Sequence, residues 1–428
     1  MHSTIDVIVI GAGASGLAAA DAFRHAGISY RIVEARDRIC GRVNTQDFLG
    51  FPCDMGASWI HGQDGNPLME LAKKYDVPIL ECDYDDITIR LDQKTIDNDM
   101  VLPKLEVFKQ LVFEYCDKMD EVDSVKDIGD RIKREHQLDD FDSFLLDVHL
   151  SHDGEAEYGL PIDQLSGQTF SDSPGRFGGD WVFPNGYSSL FKPVAAGMPI
   201  QLNTSISKID QESISDRVIV TSMTGEQFEA NYVVCTLPLG ILKSHMVEFK
   251  PSLTEVKQES INKIAFGTLD KIILVFDKVF WPDTMCHWMW KKEPFNSLMF
   301  ALNLSKVHGI PALMFFIPQS MKESHPENSS ILEHCMNTIR HSYPDADYNL
   351  VKHHISDWKS DAYTLGSYSS FGIGSGMDDL AAVGMPEGRV YFAGEHCSAE
   401  AQQSVDGAWD TGVVAAKAII QRIRDLGL

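Results

Sequence analysis

The sequence predicts an α/β protein in which a parallel-sheet nucleotide-binding unit is interleaved with a second, α+β unit. Three observations predict it. A βαβ pattern opens the chain, short apolar strands return near residues 218–236 and 390–393, and a carboxylate-rich stretch of different character lies between them. Alternation of two compositions along one chain points to interleaved domains rather than domains in series.

Ile5 to Ile10 is a short, nearly all-apolar run, as expected of a strand buried on both faces of a parallel sheet. Gly11, Gly13 and Gly16 follow at G-x-G-x-x-G spacing and lead into Leu17 to Ala20, a good helix start. A second apolar strand, Tyr30 to Val33, ends at Glu34. From Glu81 to Asp163 carboxylates dominate, and Val107 to Met119 has helical spacing, so this stretch reads as a helical insertion. Strand-like runs resume around Val218 to Thr236 and at Asp270 to Phe276, with a segment rich in Trp, Met and Phe after them. Val390 to Ala393 reads as a last strand and Val413 to Ile423 as a closing helix. The resulting boundaries assign 1–76, 180–262 and 384–428 to the nucleotide domain, and 77–179 and 263–383 to the other.

A chain of 428 residues with 44% hydrophobic and 23% charged residues is ordinary for a globular protein, but a net charge of −25 is not. Such a surface repels nucleic acid and anionic membranes and concentrates cations, so neither is expected as a partner. The eight cysteines are scattered without a C-x-x-C pair, which fits a reducing compartment and gives no metal site. No apolar run approaches the ~18 residues of a membrane span, and Arg424 to Leu428 is neither a tail anchor nor a peroxisomal address. A soluble, cytoplasmic protein is expected, with oligomeric state left open.

In the glycine-rich loop Gly11 permits the tight turn, Gly13 lets the backbone approach a pyrophosphate, and Gly16 allows close helix–strand packing. Ala14 and Ser15 open the helix whose N-terminus faces the phosphates. Glu34, at the end of the second strand, would accept hydrogen bonds from ribose hydroxyls. The plain alternative is a glycine-rich turn without a ligand. Glu34, Ala35, Arg36 and then Cys40, Gly41 and Arg42 continue directly from the acid. This resembles the E-A-R-x-x-x-G-G-R signature of flavin amine oxidases, with Cys40, a small residue expected to fit, in place of one glycine. The resemblance favours FAD over NAD.

Four further stretches resemble the polyamine oxidase branch of that family and span nearly the whole chain: Asp54 to Gly62, Thr236 to Leu242, Phe266 to Lys271 running on to Trp281, and Gly366 to Ser369 paired with Phe392 to His396. The resemblance implies a Rossmann-like FAD-binding domain interleaved with an α+β substrate-binding domain. It implies that Lys271 holds a water against the flavin, where on its strand alone it would read as a surface lysine. Glu395 is implied to contact the FAD ribose and pyrophosphate region, Val405 the pyrimidine edge of the flavin, and the backbone of Ile206 the adenine. Gly56, Ala57, Ser58, Trp59 and Thr236 complete the implied cofactor contacts. Tyr368 and Trp358 resemble the aromatic residues in front of the flavin, and aromatic walls suit an alkyl chain with a cation nearby. Singly, either aromatic is more often core. His61 matches a substrate-positioning histidine, where a neutral imidazole accepts from a substrate ammonium; outside its motif it would read as a core histidine.

Two departures matter. Gln403 and Ser404 stand where many members have Tyr, Thr or a Ser–Thr pair, so one aromatic wall is replaced by polar groups suited to a second nitrogen. Ser367 stands where monoamine oxidases carry the flavin-bonded cysteine, so the FAD is expected to be non-covalent. The implied chemistry is oxidation of spermine, spermidine or N-acetylated polyamines by hydride transfer to flavin N5, with O2 as the second substrate and H2O2 released. The acidic segment 81–163 would rim the substrate channel, or else merely be solvated. A monoamine oxidase shares the scaffold. So does an L-amino-acid oxidase, which needs a carboxylate-clamping arginine, for which Arg90 and Arg176 are the candidates. A histone demethylase would need chromatin-docking domains that 428 residues do not accommodate, and a decayed flavin-binding protein would have no use for an intact Lys271 and Tyr368.

Overall fold

The structure, a computed structural model, describes residues 5–170, 172, 175–214, 216–291 and 299–426; of the chain's closing residues, 427 and 428 lie outside that set. Ile5–Ile10 sits in the middle of an eight-stranded sheet, parallel to Tyr30–Val33 on one side and to Gln227–Cys235 on the other. Val7, Ile8 and Val9 are wholly buried, which is why the run carries no polar alternation. Val390–Phe392 pairs in parallel with the last residues of Gln227–Cys235, while Val218–Ser222 takes the earlier ones. Four parallel strands therefore end side by side at Ile10, Val33, Cys235 and Phe392. Their outgoing loops carry Gly11, Glu34, Thr236 and Glu395, at the sheet edge where open α/β folds bind ligands.

Helix Ala14–Ala26 lies against the final helix, which runs Val405–Asp425 and so begins earlier than the expected Val413. The approach is close: a Cβ on Gly412 would stand 2.1 Å from the Ser15 carbonyl oxygen.

The second sheet has seven strands in the order Leu350–Ile355, Leu269–Phe276, Ala312–Pro318, Met299–Asn303, Cys286–Trp290, Ile87–Leu91 and Lys94–Ile96. The last two correct the expectation of an all-helical insertion. Ile87–Leu91 pairs in parallel with Cys286–Trp290, a partner almost two hundred residues away that no local pattern announces. The Trp-, Met- and Phe-rich segment supplies two of the other strands, and its residues 292–298 lie outside the described set. The helices that follow are Asn98–Cys116, Val125–His136 and Asp140–His149, ending in a π-helical turn at Leu150–Ala156. Several of the segment's carboxylates start these helices. Asp97 accepts from Asp99 N, Asp139 from Asp142 N, and Ser124 with Asp127 forms a capping box. All eight cysteines are free thiols. No helix among the described residues is long and apolar enough to cross a membrane.

Candidate active site

At the glycine loop the three glycines meet different surroundings. A Cβ on Gly16 would lie 2.0 Å from the Gly11 oxygen, and one on Gly11, whose φ is +101°, 2.4 Å from Thr236 Oγ1. A Cβ on Gly13 would meet nothing within 4 Å. Helix Ala14–Ala26 has no side-chain cap, and the buried Ser15 hydroxyl has no partner among the described residues. Uncapped amides, an orphan hydroxyl and open space beside Gly13 make an anion-binding cradle.

Glu34 Oε2 accepts from Ala12 N at 2.7 Å and Oε1 from Arg36 N at 2.9 Å, leaving further acceptor capacity on each oxygen. Burial raises its pKa against those hydrogen bonds. Asn203 N and Thr204 N donate to the Arg36 and Glu34 carbonyls, which brings the strand Ile206–Asp210 beside the half-buried Ala35. The Arg36 guanidinium pairs with Asp361 and lies over the Tyr363 ring. Cys40 fits, but with φ +76°, a left-handed backbone that favours glycine, so it carries about 1 kcal/mol of strain. Its amide donates to Ala12 O, and Gly41 follows at φ +56°.

Arg42 donates to Glu395 Oε1 at 2.8 Å and to Ser367 O at 2.9 Å. Glu395 Oε2 accepts from Ser369 Oγ, Ser369 N and Gln403 N. Burial alone would raise the Glu395 carboxyl, but Arg42, His396 and Ser369 together hold it below its ordinary value. It thus ties three loops together, with Oε1 hydrogen-bonded by Arg42 alone and so keeping further acceptor capacity. Ser404 stands at the start of the final helix. Its hydroxyl accepts from Gly407 N and donates to Ala401 O, each at 2.9 Å, as the N-cap of Val405–Asp425. Gln403, at φ +60°, keeps a buried Oε1 without a partner among the described residues.

Lys271 is buried on the strand Leu269–Phe276, and its ammonium donates to Asp54 O at 3.2 Å, to Gly56 O and to Ser58 Oγ. Burial lowers its pKa to about 8, and raises that of the neighbouring Asp54 to about 6. The motif from Asp54 to Gly62 thus wraps the lysine. Trp358 Nε1 donates to Met55 O at 2.9 Å, and Asp270 fixes the Trp358 backbone amide. Gly56 is needed there, since a Cβ would sit 1.9 Å from Arg42 O and 2.9 Å from the Trp358 ring. Ala57 N donates to the same Arg42 carbonyl.

The ammonium of Lys271 lies 5.3 Å from the Trp59 ring and 5.8 Å from that of Phe316. His61 stacks on Trp59, and its Nδ1 pairs with Asp180 Oδ2 at 2.9 Å. The His61 side chain is 59% accessible, yet desolvation acts on it. Desolvation would lower the imidazole, but the Asp180 hydrogen bond and charge outweigh it and raise the pKa, so the neutral ring expected here appears only at higher pH. Tyr368 donates to Ala156 O at 3.2 Å, and burial pushes its phenol up. Glu157, next in the chain, is likewise accessible but desolvated, and its carboxyl is raised. Asp180, Glu157 and Phe316 carry no motif and were not anticipated. The two candidate clamping arginines are engaged elsewhere. Arg176 pairs with Asp406 and Asp410, and Arg90 bonds Thr95 and Gln93 and lies over Tyr343.

The family model for flavin containing amine oxidoreductases matches residues 14–420. Polyamine oxidase 3 of Oryza sativa subsp. japonica is 30% identical, over 99% of this chain and 92% of its own length. Polyamine oxidase 2 of Arabidopsis thaliana is 29% identical, over 97% and 88%. Lysine-specific histone demethylase 1 homolog 3 of Arabidopsis thaliana is 27% identical, and the match covers 98% of this chain but 30% of that protein. A solved structure of a putrescine oxidase redesigned in its cofactor binding superposes with a TM-score of 0.79 over 97% of this chain and 99% of its own, at 19% identity, a likeness of fold. The chain belongs to the flavin-containing amine oxidoreductases, in the branch of the polyamine oxidases.

Proposed function

We propose that this flavin amine oxidase binds FAD without a covalent bond and oxidises polyamines, namely spermine, spermidine or their N-acetylated forms. The observation that carries the reading is Lys271, buried beneath the Trp59 and Phe316 rings, with His61 stacked on the same Trp59, held by Asp180 and within electrostatic reach of Glu157. That arrangement suits an apolar chain bearing cations. The residues present fit FAD: the cradle at Gly13, Ala14 and Ser15 takes a pyrophosphate, the spare acceptor capacity of Glu34 takes ribose hydroxyls, and the helix at Val405 offers the first-turn amides that the Ser404 cap on Gly407 N does not take. Ser367 is engaged with Leu269 N and O and has no thiol to bond a flavin. Bound there, FAD would supply two-electron redox chemistry: hydride would leave the carbon α to nitrogen, O2 would be reduced to H2O2, and water would hydrolyse the imine to an aminoaldehyde.

This chain's residues bind, orient and exclude water. With Nδ1 of His61 turned to Asp180, Nε2 is left as an acceptor once the pH exceeds the raised pKa of the ring. Lys271, with a pKa of about 8, changes protonation in the same alkaline range in which substrate amines begin to lose a proton. Activity should therefore climb toward alkaline pH. For an amino-acid oxidase, Arg176 is paired with Asp406 and Asp410, and Arg90 is held by Thr95, Gln93 and the Tyr343 ring, which disfavours that reading. The scattered thiols suit a reducing compartment, and the proposal places the protein in the cytoplasm.

The test is peroxide release by the purified yellow protein on spermine, spermidine, N-acetylated polyamines, putrescine, benzylamine and L-amino acids. Turnover confined to polyamines is expected. Turnover only of monoamines or amino acids overturns the substrate class, and flavin that acid precipitation leaves on the protein overturns the non-covalent assignment.

A further inference from the structure

His152 and Asp153 belong to none of the motifs above. They lie on the π-helical turn Leu150–Ala156, directly before the Ala156 carbonyl that receives the Tyr368 hydroxyl. Asp153 accepts from His149 Nδ1 at 2.7 Å and from His152 Nδ1. Burial alone would raise the Asp153 carboxyl, but the two imidazoles overcome it, so the group stays ionised. His149 is buried and serves as an anchor, whereas the His152 side chain is 26% accessible. Its Nε2 has no partner among the described residues.

This repeats the arrangement of His61 on Asp180. In each, Nδ1–H donates to a carboxylate whose charge raises the imidazole pKa, so the opposite nitrogen becomes an acceptor once the pH exceeds that raised value. Glu157 lies within electrostatic reach of both rings and of Asp153. A continuous aromatic wall joins the two ends. The His152 ring meets Phe300 edge-on at 5.0 Å and Trp288 at 5.3 Å. Phe300 stacks on Phe316 at 5.6 Å and 18°, and Phe316 lies 5.6 Å from Trp59, over which the Lys271 ammonium sits. A chain whose reactive carbon is near Lys271 can lie along this wall and bring a remote group to His152.

We propose that His152, held by Asp153, is the seat of the remote, cationic nitrogen of the substrate, and so sets the preference for amines carrying a second charge over monoamines and over amines acetylated at that nitrogen. The proposal rests on the polyamine reading of the site. A purely structural His–Asp–His clamp accounts for the buried His149, but not for a partly accessible His152 ring whose Nε2 has no partner among the described residues, at the end of an aromatic wall.

The experiment compares His152→Phe, which keeps the ring packing, and His152→Gln, which keeps an acceptor, with the wild-type holoenzyme. Substrates are spermidine and an alkyl monoamine of the same length. His152→Phe should lower kcat/KM for spermidine about 10- to 100-fold, chiefly through KM, the worth of one charge-assisted hydrogen bond. Monoamine turnover should stay within about twofold, and His152→Gln should recover part of the loss. Equal losses on both substrates with a lowered Tm, or no loss on either, overturn the proposal. If the wild-type protein turns over no polyamine, the functional reading fails separately, and calorimetric binding of spermidine to wild type and His152→Phe then decides the seat: equal affinities overturn it.

Discussion

The glycine end of the site is made of backbone: a turn at Gly11, amides at the start of Ala14–Ala26, and carbonyls from Glu34 and Arg36 that receive Thr204 and Asn203. The end proposed for the amine is made of side chains brought from several parts of the chain, namely His61, Glu157, Asp180, Lys271, Phe316 and Tyr368. The first should fail when a Cβ is added and ignore distant chemistry. The second should tolerate changes of packing and fail when one functional group is removed.

The largest effect tests the backbone end. Gly16→Ala puts a Cβ 2.0 Å from the Gly11 carbonyl oxygen, which neither chain can yield cheaply. It should cost about 4 kcal/mol or more in thermal unfolding of the flavin-free protein, and abolish the yellow colour. Gly13→Ala meets open space at an ordinary φ of −77°, so flavin-free stability should change by less than about 0.5 kcal/mol while flavin retention drops. If Gly13→Ala keeps the flavin as tightly as the wild type, that space is not where the pyrophosphate lies.

Lys271→Met tests the other end. It should leave flavin bound and slow flavin reduction by about 100-fold or more. The burial that lowers Lys271 from 10.5 to about 8 has a sign that can be checked. Between those two values the unfolded chain binds more protons than the folded one, so the lysine's contribution to stability rises with pH across that window. The stability of wild type relative to Lys271→Met should climb from pH 8 to 10, and a flat difference would mean the ammonium is not desolvated. The same variant should lose the part of the activity profile that titrates near pH 8.

Legibility followed the same division. Gly11, Gly13, Gly16 and Glu34 were readable because strand, turn, helix and acid are contiguous, and their spacing is the geometry. The motif at Asp54 to Gly62 was readable as a unit, but why it surrounds Lys271 was not, since two of its contacts are carbonyls. Asp180 reaches His61 through a pairing of Trp59–Ile60 with Asp180–Val182 that is two residues long, too short for any periodicity to show. Ile87–Leu91 was lost in the same way, its partner lying in a distant strand. Arg36 and Glu395 stand in stretches whose resemblance to the family implies cofactor contacts, while their partners Asp361 and Arg42 are remote in sequence and announced by no local pattern.

Ser404 is the case where the sequence did hold the information. A serine followed by an acid in the next turn and an apolar helical period is an N-cap pattern, and Asp406 supplies the acid. Its position in the family drew attention to substrate instead. A cap and a substrate contact differ in what they leave behind when the hydroxyl is removed. Ser404→Ala should lower stability by about 1 kcal/mol, because Gly407 N loses its acceptor at the start of the final helix. KM for spermidine should stay within about twofold, since the hydroxyl already has two partners at 2.9 Å and neither is substrate. A several-fold rise in KM at unchanged Tm would return Ser404 to the amine end, and would mean the cap opens when the amine binds.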